Sequence, residues 1–351
     1  MRRETNMSTA TGPDQVHRSR VIGLAGQRTL VTGGAGFVGS NVVLRLLDLG
    51  GIVTILDDFS TGLRENVSPF QGKVALIEGS VLDEQIVQAL VAESDYVIHM
   101  AARNIIASTR NPREDFATNI GGTLNVLMAA RDSHVRRVVY TSSASVYGNP
   151  RHLPIDEGDA TNMLSPYSVS KYAGENYCKA FFENYGVSVS SVRYSNVYGP
   201  SQRPENPYCG VVSKFFAAAM SGESPLIHGD GDQTRDYTYV TDAVEATLLA
   251  AVSPRADGQV YNVGTGRETS VNQLAEMIIR ITGRNLTSRH IDRRDIDNIR
   301  RRVLSVEKAR AELRWAPETT LENGLRATHD WLLREQGWTG PAARPAAPEN
   351  Q

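Results

Sequence analysis

Thr32-Gly33-Gly34-Ala35-Gly36-Phe37-Val38-Gly39 is the stretch that decides the fold. It follows a short apolar run, Arg28 to Thr32. It leads into Phe37 to Leu49, whose apolar residues recur at helical spacing until Gly50-Gly51 ends the pattern. Gly33, Gly36 and Gly39 answer three needs of a strand-to-helix turn that binds a dinucleotide: a tight bend, close approach of backbone to pyrophosphate, and close packing of helix on sheet. The helix start then offers free N–H groups and a positive dipole end to phosphate. Gly33, Gly36, Phe37 and Val38 are therefore candidate cofactor contacts. The alternative is a purely structural glycine turn.

Outward from this turn, strands are expected at Ile52 to Leu56, Val74 to Ile77, Tyr96 to Met100, Arg137 to Thr141 and Val187 to Arg193. Helices are expected at Glu84 to Val91, Thr118 to Arg131 and Tyr167 to Tyr185. Strands and helices that alternate at these lengths form parallel β-α-β units. Strands that are apolar throughout belong to a sheet covered on both faces. The fold class expected is α/β, a Rossmann-type doubly wound parallel sheet over 27–200. A smaller mixed α/β substrate lobe follows over 201–338, with some interleaving of the two. Its helices are expected at Val211 to Ser221, Thr241 to Ala251, Val271 to Ile281, Val306 to Leu313 and Leu321 to Leu333. Residues 1–26, with four arginines but no apolar core, read as a loose tail rather than a secretory signal, and 339–351 as another.

The 351 residues carry 37 basic and 39 acidic side chains, a net charge of −2. That balance gives no electrostatic case for a nucleic-acid or anionic-membrane partner. The most apolar stretch, Val42 to Leu56, is broken by Arg45 and Asp48, so no span of a bilayer is expected. Two cysteines, Cys178 and Cys209, make neither a disulfide framework nor a metal-type cluster. A cytoplasmic protein without a metal is the plain expectation.

Asp57 lies at the end of the second strand, 24 residues after Gly33. A carboxylate there accepts hydrogen bonds from the adenine-ribose hydroxyls and repels a 2′-phosphate, so NAD is favoured over NADP, and Asp58 adds to the repulsion. A loop-capping role over Ser60-Thr61-Gly62 is the alternative. Tyr167 and Lys171 are four residues apart, on one helix face. A free phenol titrates near ~10, too high for a base at neutral pH. An adjacent ammonium and a cationic nicotinamide would favour the phenolate; a shift of about three units needs roughly 4 kcal/mol. Such a pair alone is common by chance, but here it follows the glycine turn and Ser142-Ser143 at a strand end.

These features, taken with His99-Met100-Ala101-Ala102, Asn119 with Gly122-Thr123, Thr141 to Gly148, Arg193 to Pro200 and Gly229-Asp230-Gly231 leading to Arg235-Asp236-Tyr237, resemble the extended short-chain dehydrogenase/reductases of the nucleotide-sugar epimerase/dehydratase family. The resemblance covers roughly residues 27 to 337. It implies NAD as cofactor and a UDP-sugar as substrate, with Ser143 holding and relaying the sugar hydroxyl proton, Tyr167 as base and Lys171 on the nicotinamide ribose. It places Asp57, Asp58, Ser60, Gly62, Ser80, Val81, Ala101, Ala102, Arg103 and Tyr194 along the cofactor. It places Ser143, Ser145, Tyr167, Ser195, Asn196, Val211, Arg235 and Arg300 about the substrate, with Arg294, Arg301 and Arg302 as rivals of Arg300 for the diphosphate. A bidentate guanidinium suits that group.

Dehydratases of the family carry Asp-Glu after the catalytic Ser/Thr, and decarboxylases a Glu two residues on. Here Ala144 and Ser145 stand there. The resemblance thus points to 4-epimerisation, in which Tyr167 takes the O4 proton, NAD takes and returns the C4 hydride, and a 4-keto sugar turns over between. A decarboxylase or reductase on a related nucleotide sugar is the alternative. Three departures stand out: Ser80 for an Asp contacting adenine, Ser195 for a Phe near the nicotinamide, and Arg103 for an uncharged residue. The last two raise the option of a uronic acid. The helices near 113–131 and 167–185, apolar on more than one face, suggest the four-helix homodimer interface of the family.

Overall fold

A computed structural model of the protein describes residues 21–206, 209–293 and 299–335. Arg28–Thr32 lies inside a seven-stranded sheet. From one edge the order is Gln259–Val263, Val189–Tyr194, Arg137–Ser143, Tyr96–His99, Arg28–Thr32, Ile52–Asp57 and Ala75–Glu78. Every neighbouring pair is parallel. Chain order reverses between Arg28–Thr32 and Tyr96–His99, and at such a point the diverging loops open a crevice at the strands' carboxyl ends.

Helices Phe37–Asp48 and Val240–Val252 cover one face, packing Val42, Leu46 and Leu249 with Val31, Ile55 and Val139. Helices Glu84–Ala92, Thr123–Arg131 and Pro166–Tyr185 cover the other, where Val87, Val126 and Phe181 join Leu30, Val97 and Val138. Each fully buried Val, Leu or Phe contributes roughly 2 kcal/mol. A third core of Phe215, Phe216, Leu274, Ile278, Leu325 and Leu332 builds the second lobe.

The two lobes interleave: Val240–Val252 and Gln259–Val263 follow residue 200 yet complete the sheet layer, and Trp315 joins the same core. The seventh strand, Gln259–Val263, has no sequence signal beyond a short apolar run. The expected N-terminal tail is too long by six residues. Val21 and Leu24 are fully buried about the turn Ile22–Leu24, because they cap the core beneath Phe37–Asp48. The remainder of both tails lies outside the described residues. Among the described residues no helix is long and apolar enough to cross a membrane, and no cluster fit for a metal occurs.

The expected helix Thr118 to Arg131 is helical throughout, but its first part is wound more widely. Short helices Ile105–Arg110 and Pro112–Asp115 lead into a wide π-turn, Phe116–Gly122, before Thr123–Arg131. The Thr123 hydroxyl donates to the Asn119 carbonyl at 2.7 Å, a side-chain bond that competes with the regular ladder.

That same hydroxyl fixes His99, which is 2% exposed at the sheet centre. Thr32 Oγ1 lies 2.7 Å from His99 Nδ1, and Thr123 Oγ1 3.0 Å from Nε2. Since Thr123 donates to Asn119, it accepts from Nε2–H, and Nδ1 accepts from Thr32; the ring is neutral. Burial, aided by the Lys171 ammonium, pushes its pKa down to about 3. The unfolded chain then binds a proton that the fold does not, so stability falls as pH drops below the ordinary histidine value toward 3. Urea unfolding is expected to lose roughly 2 kcal/mol between neutrality and about pH 5. His99→Asn should flatten that slope; an unchanged slope would show that the imidazole is not its source.

Candidate functional site

The crevice at the switch point is lined by Gly33, Gly36, Asp57, Asp58, Ser60, Thr61, Gly62, Val81, Ala101, Ala102 and Arg103. Ten of the residues expected along the cofactor thus meet there. Gly33 has φ +71°, and a Cβ on it would stand 2.7 Å from the Ala101 backbone nitrogen. Gly39 lets the helix settle: a Cβ there would fall 2.2 Å from the Gly33 carbonyl oxygen. Gly36 caps Phe37–Asp48 with no side chain, leaving the first N–H groups around Phe37 and Val38 for an anion. Asp57 is 6% exposed and accepts from Ala35 N at 2.8 Å and Phe59 N at 2.9 Å. It clamps the glycine turn to Phe59 of the following loop while lining the crevice. Burial raises its pKa.

Arg103 is one of the residues lining this crevice. It bonds the Ser60 hydroxyl and pairs with Asp58 at 3.5 Å and Glu114 at 3.7 Å. Ser80 and Tyr194 do not line the crevice. Ser80 Oγ accepts from Leu82 N at 3.2 Å, and the Tyr194 hydroxyl sits 2.5 Å from Thr247 Oγ1.

The parallel register brings Ser143 beside Tyr194 at the carboxyl end of Arg137–Ser143. Facing it, Pro166–Tyr185 begins with a Ser165 capping box and Pro166 at its first turn. Tyr167 is thus held in the first turn and Lys171 one turn on. Lys171 is 4% exposed; its Nζ donates to the Thr141 carbonyl at 2.9 Å and lies 5.9 Å from the Tyr167 ring centre. Burial pushes Tyr167 up to about 12, and the side chains that favour its ionisation are Ser143, by a hydrogen bond, and Arg302, by charge. Burial also brings Lys171 down to about 8.

Beneath this helix lies a buried polar network. Glu175 accepts from Arg193 at 2.6 and 2.9 Å and from the Ser142 hydroxyl. Arg193 also donates to the Tyr147 hydroxyl at 2.7 Å, which donates to Asn262 at 2.7 Å.

A second cleft, of about 880 Å3, opens between the lobes and includes Asn196, Val211, Arg235 and Arg300, four of the expected substrate residues. Lys214, Arg289 and Arg293 line it too, against Glu223 and Asp230. Gly210 opens Val211–Ser221 into it without a side-chain cap. Arg235, 7% exposed, is aimed by Nη1 bonds to the Thr234 and Ile299 carbonyls, both 2.8 Å, and not by Asp236. Asp236 instead holds Thr265 N, Gly266 N and Leu304 N. Arg300 Nη1 donates to both carboxylate oxygens of Asp230 at 2.7 Å. Arg301 pairs with Glu268 outside the cleft, Arg302 is buried, and Arg294 lies outside the described residues. Ser195 is occupied by Thr238 Oγ1 at 2.5 Å, and neither Ser143, Ser145 nor Tyr167 reaches the wall of this cleft. Lys214, Arg289 and Arg293 were missed because isolated cations have no periodic or spacing signal.

Gly33→Ala should lower thermal stability by about 1–3 kcal/mol and weaken NAD at least about tenfold, through the displaced turn. Calorimetric titration alongside thermal unfolding checks both; full NAD affinity in the variant would show that this turn is not the pyrophosphate seat.

Residues 29–264 match the NAD dependent epimerase/dehydratase family. The chain is 38% identical over 312 residues to UDP-glucose 4-epimerase of Mycolicibacterium smegmatis, covering 87% of this chain and 98% of that one. It is 34% identical to UDP-N-acetyl-alpha-D-glucosaminuronate decarboxylase of Bacillus cytotoxicus, over 87% and 98% of the two chains. Its fold superposes on UDP-glucose 4-epimerase of Thermotoga maritima, solved with UDP-glucose, with a TM-score of 0.84 and 36% identity over 88% of this chain and 99% of that one. The chain belongs to the NAD dependent epimerase/dehydratase family, and its cofactor is NAD.

Proposed function

We propose that the protein is a UDP-sugar 4-epimerase that interconverts UDP-glucose and UDP-galactose through a transient 4-keto sugar. The observation that carries this reading is the chemistry after Ser143. Ala144 is apolar and fully buried, and Ser145 presents a buried hydroxyl with no hydrogen-bond partner. Neither brings the carboxyl group that elimination of water or loss of carbon dioxide would use. The likeness to named UDP-glucose 4-epimerases supports the same reading.

The glycine turn, the uncapped helix start and Asp57 fit NAD, which supplies reversible oxidation of a secondary alcohol when bound. In this reading Tyr167 takes the proton from the sugar O4 and later returns it, with Ser143 between phenol and substrate. Ser143, by a hydrogen bond, and Arg302, by charge, favour ionisation of the phenol. Lys171, fixed on the Thr141 carbonyl, is placed to serve the nicotinamide ribose. Arg235 and Arg300 would grip the diphosphate, Arg300 exchanging Asp230 for phosphate, with Arg289, Arg293, Lys214 and the start of Val211–Ser221 adding positive potential. Asn196 and Ser145 would meet neutral oxygens. A second reading, the UDP-glucuronate and UDP-galacturonate pair, is favoured by Arg302, a buried guanidinium close enough to act on Tyr167.

Tyr167→Phe is expected to lower kcat by roughly 10³-fold with NAD affinity retained. Products from UDP-glucose and UDP-glucuronate, resolved by chromatography, separate the two readings. Conversion of neither, or full activity in Tyr167→Phe, would overturn the proposal.

A homodimer is part of the same reading. Phe116 and Val169 are 65% and 50% exposed, and Tyr177 and Tyr185 also lie open on the helices expected to pair. Scattering mass should be twice that of the chain and should fall to one chain in Phe116→Glu/Val169→Glu; a monomeric native protein would refute the pairing.

A further inference from the structure

Asp115, 3% exposed, closes the short helix before the π-turn. Its Oδ1 accepts three hydrogen bonds: from Ser108 Oγ at 2.5 Å, Asn119 Nδ2 at 2.7 Å and Ser170 Oγ at 2.9 Å. The donors come from three separate elements. Ser170 stands between Tyr167 and Lys171 in sequence and also bonds the Tyr167 carbonyl at 3.0 Å. Ser108 and Asn119 reach on to the Arg103 carbonyl beside the NAD crevice. One carboxylate oxygen thus joins the proton-transfer helix to the crevice wall.

All three donors are neutral. They solvate the charge without cancelling it, and a buried charge needs an opposite one. Among the described residues Lys171 has no ion pair within 4 Å, and its ammonium bonds only a neutral carbonyl. Glu175, the other carboxylate near Lys171, is committed to Arg193 by two short bonds. The groups facing this centre are Tyr167, Glu175 and Cys178 on the same helix as Lys171, His99 and Tyr140 from the strands beneath, and Arg302 from the other lobe.

We infer that Asp115 is the positioning residue of the Tyr167–Lys171 pair, the buried counter-charge that keeps Lys171 an ammonium while tethering its helix to the cofactor crevice. Burial drives the Lys171 pKa down, and Asp115 is the foremost group opposing that, ahead of Glu175. The same negative charge raises Tyr167. Removing it therefore moves both groups downward, whereas loosened packing alone would lower activity without moving either.

The test uses the full chain with NAD added. Side-chain nitrogen NMR of labelled lysine follows the Lys171 ammonium, identified by its loss in Lys171→Met. The wild-type midpoint is expected near 8. Asp115→Asn keeps an acceptor at Oδ1 and removes the charge; it should lower the midpoint by roughly one unit. Asp115→Ser repeats the measurement should the first variant not fold. Ser170→Ala keeps the charge and should leave the midpoint in place. An unmoved midpoint in the Asp115 variants, or an equal shift in Ser170→Ala, overturns the inference. Its bearing on turnover rests on the epimerase reading: both limbs of the pH–rate profile should move to lower pH in Asp115→Asn. A shifted midpoint in a protein that converts no UDP-sugar would sink that reading and leave the counter-charge standing. An unshifted midpoint in an active epimerase would do the reverse.

Discussion

A buried ammonium on a sheet carbonyl organises this molecule. The Lys171–Thr141 bond joins the proton-transfer helix to a central strand within two residues of Ser143. Around that bond the remaining parts take their places. The register of the parallel strands sets Ser143, the Ser165 capping box sets Tyr167, and the reversal of strand order opens the crevice that takes NAD. An ammonium in such surroundings is expensive, and the fold meets the cost with a fixed carbonyl dipole and nearby carboxylates, without the close ion pair that a surface lysine would find.

Much of this was legible in the chain. Strand, glycine turn and helix around Gly33, Gly36 and Gly39 are local features, and local features leave periodic or steric marks that a reader can find. The same holds for Tyr167 and Lys171, one helical turn apart. Asp57 was readable as a cofactor contact, and its clamp on Ala35 and Phe59 emerges only in three dimensions. What escaped is long-range. Gln259–Val263 joins the sheet beside Val189–Tyr194 through pairing that no spacing announces. The π-turn Phe116–Gly122 widens an apparently regular helix with no mark in the spacing of its apolar residues. Arg289 and Arg293 come from a distant segment to line the same cleft as Arg235.

The electrostatics of the phenol lie beyond what residue spacing conveys. Spacing places a lysine near a tyrosine but says nothing of where the ammonium points. Here it points to a carbonyl, and desolvation dominates the phenol. Likewise the place of Arg103 after Ala102 says nothing of Asp58, Ser60 and Glu114, which surround it in the fold. A charged residue's partners, more than its position in a motif, decide what it can do.

The Glu175–Arg193–Tyr147–Asn262 chain gives the site a stiff floor. It runs from the helix that bears Tyr167, under two strands, to the sheet's outermost strand, with every member dry. Breaking any link would strand a charge or hydroxyl away from water, so this side of the molecule has little freedom to breathe. In the proposed epimerisation, a sugar ring that presents first one face and then the other to a fixed phenol could not rely on the phenol's support to yield. The compliance has to come from above, where Arg300 sits on exposed Asp230 and the cleft wall meets solvent. The architecture thus divides labour between an anvil that stays still and a hand that can turn the work.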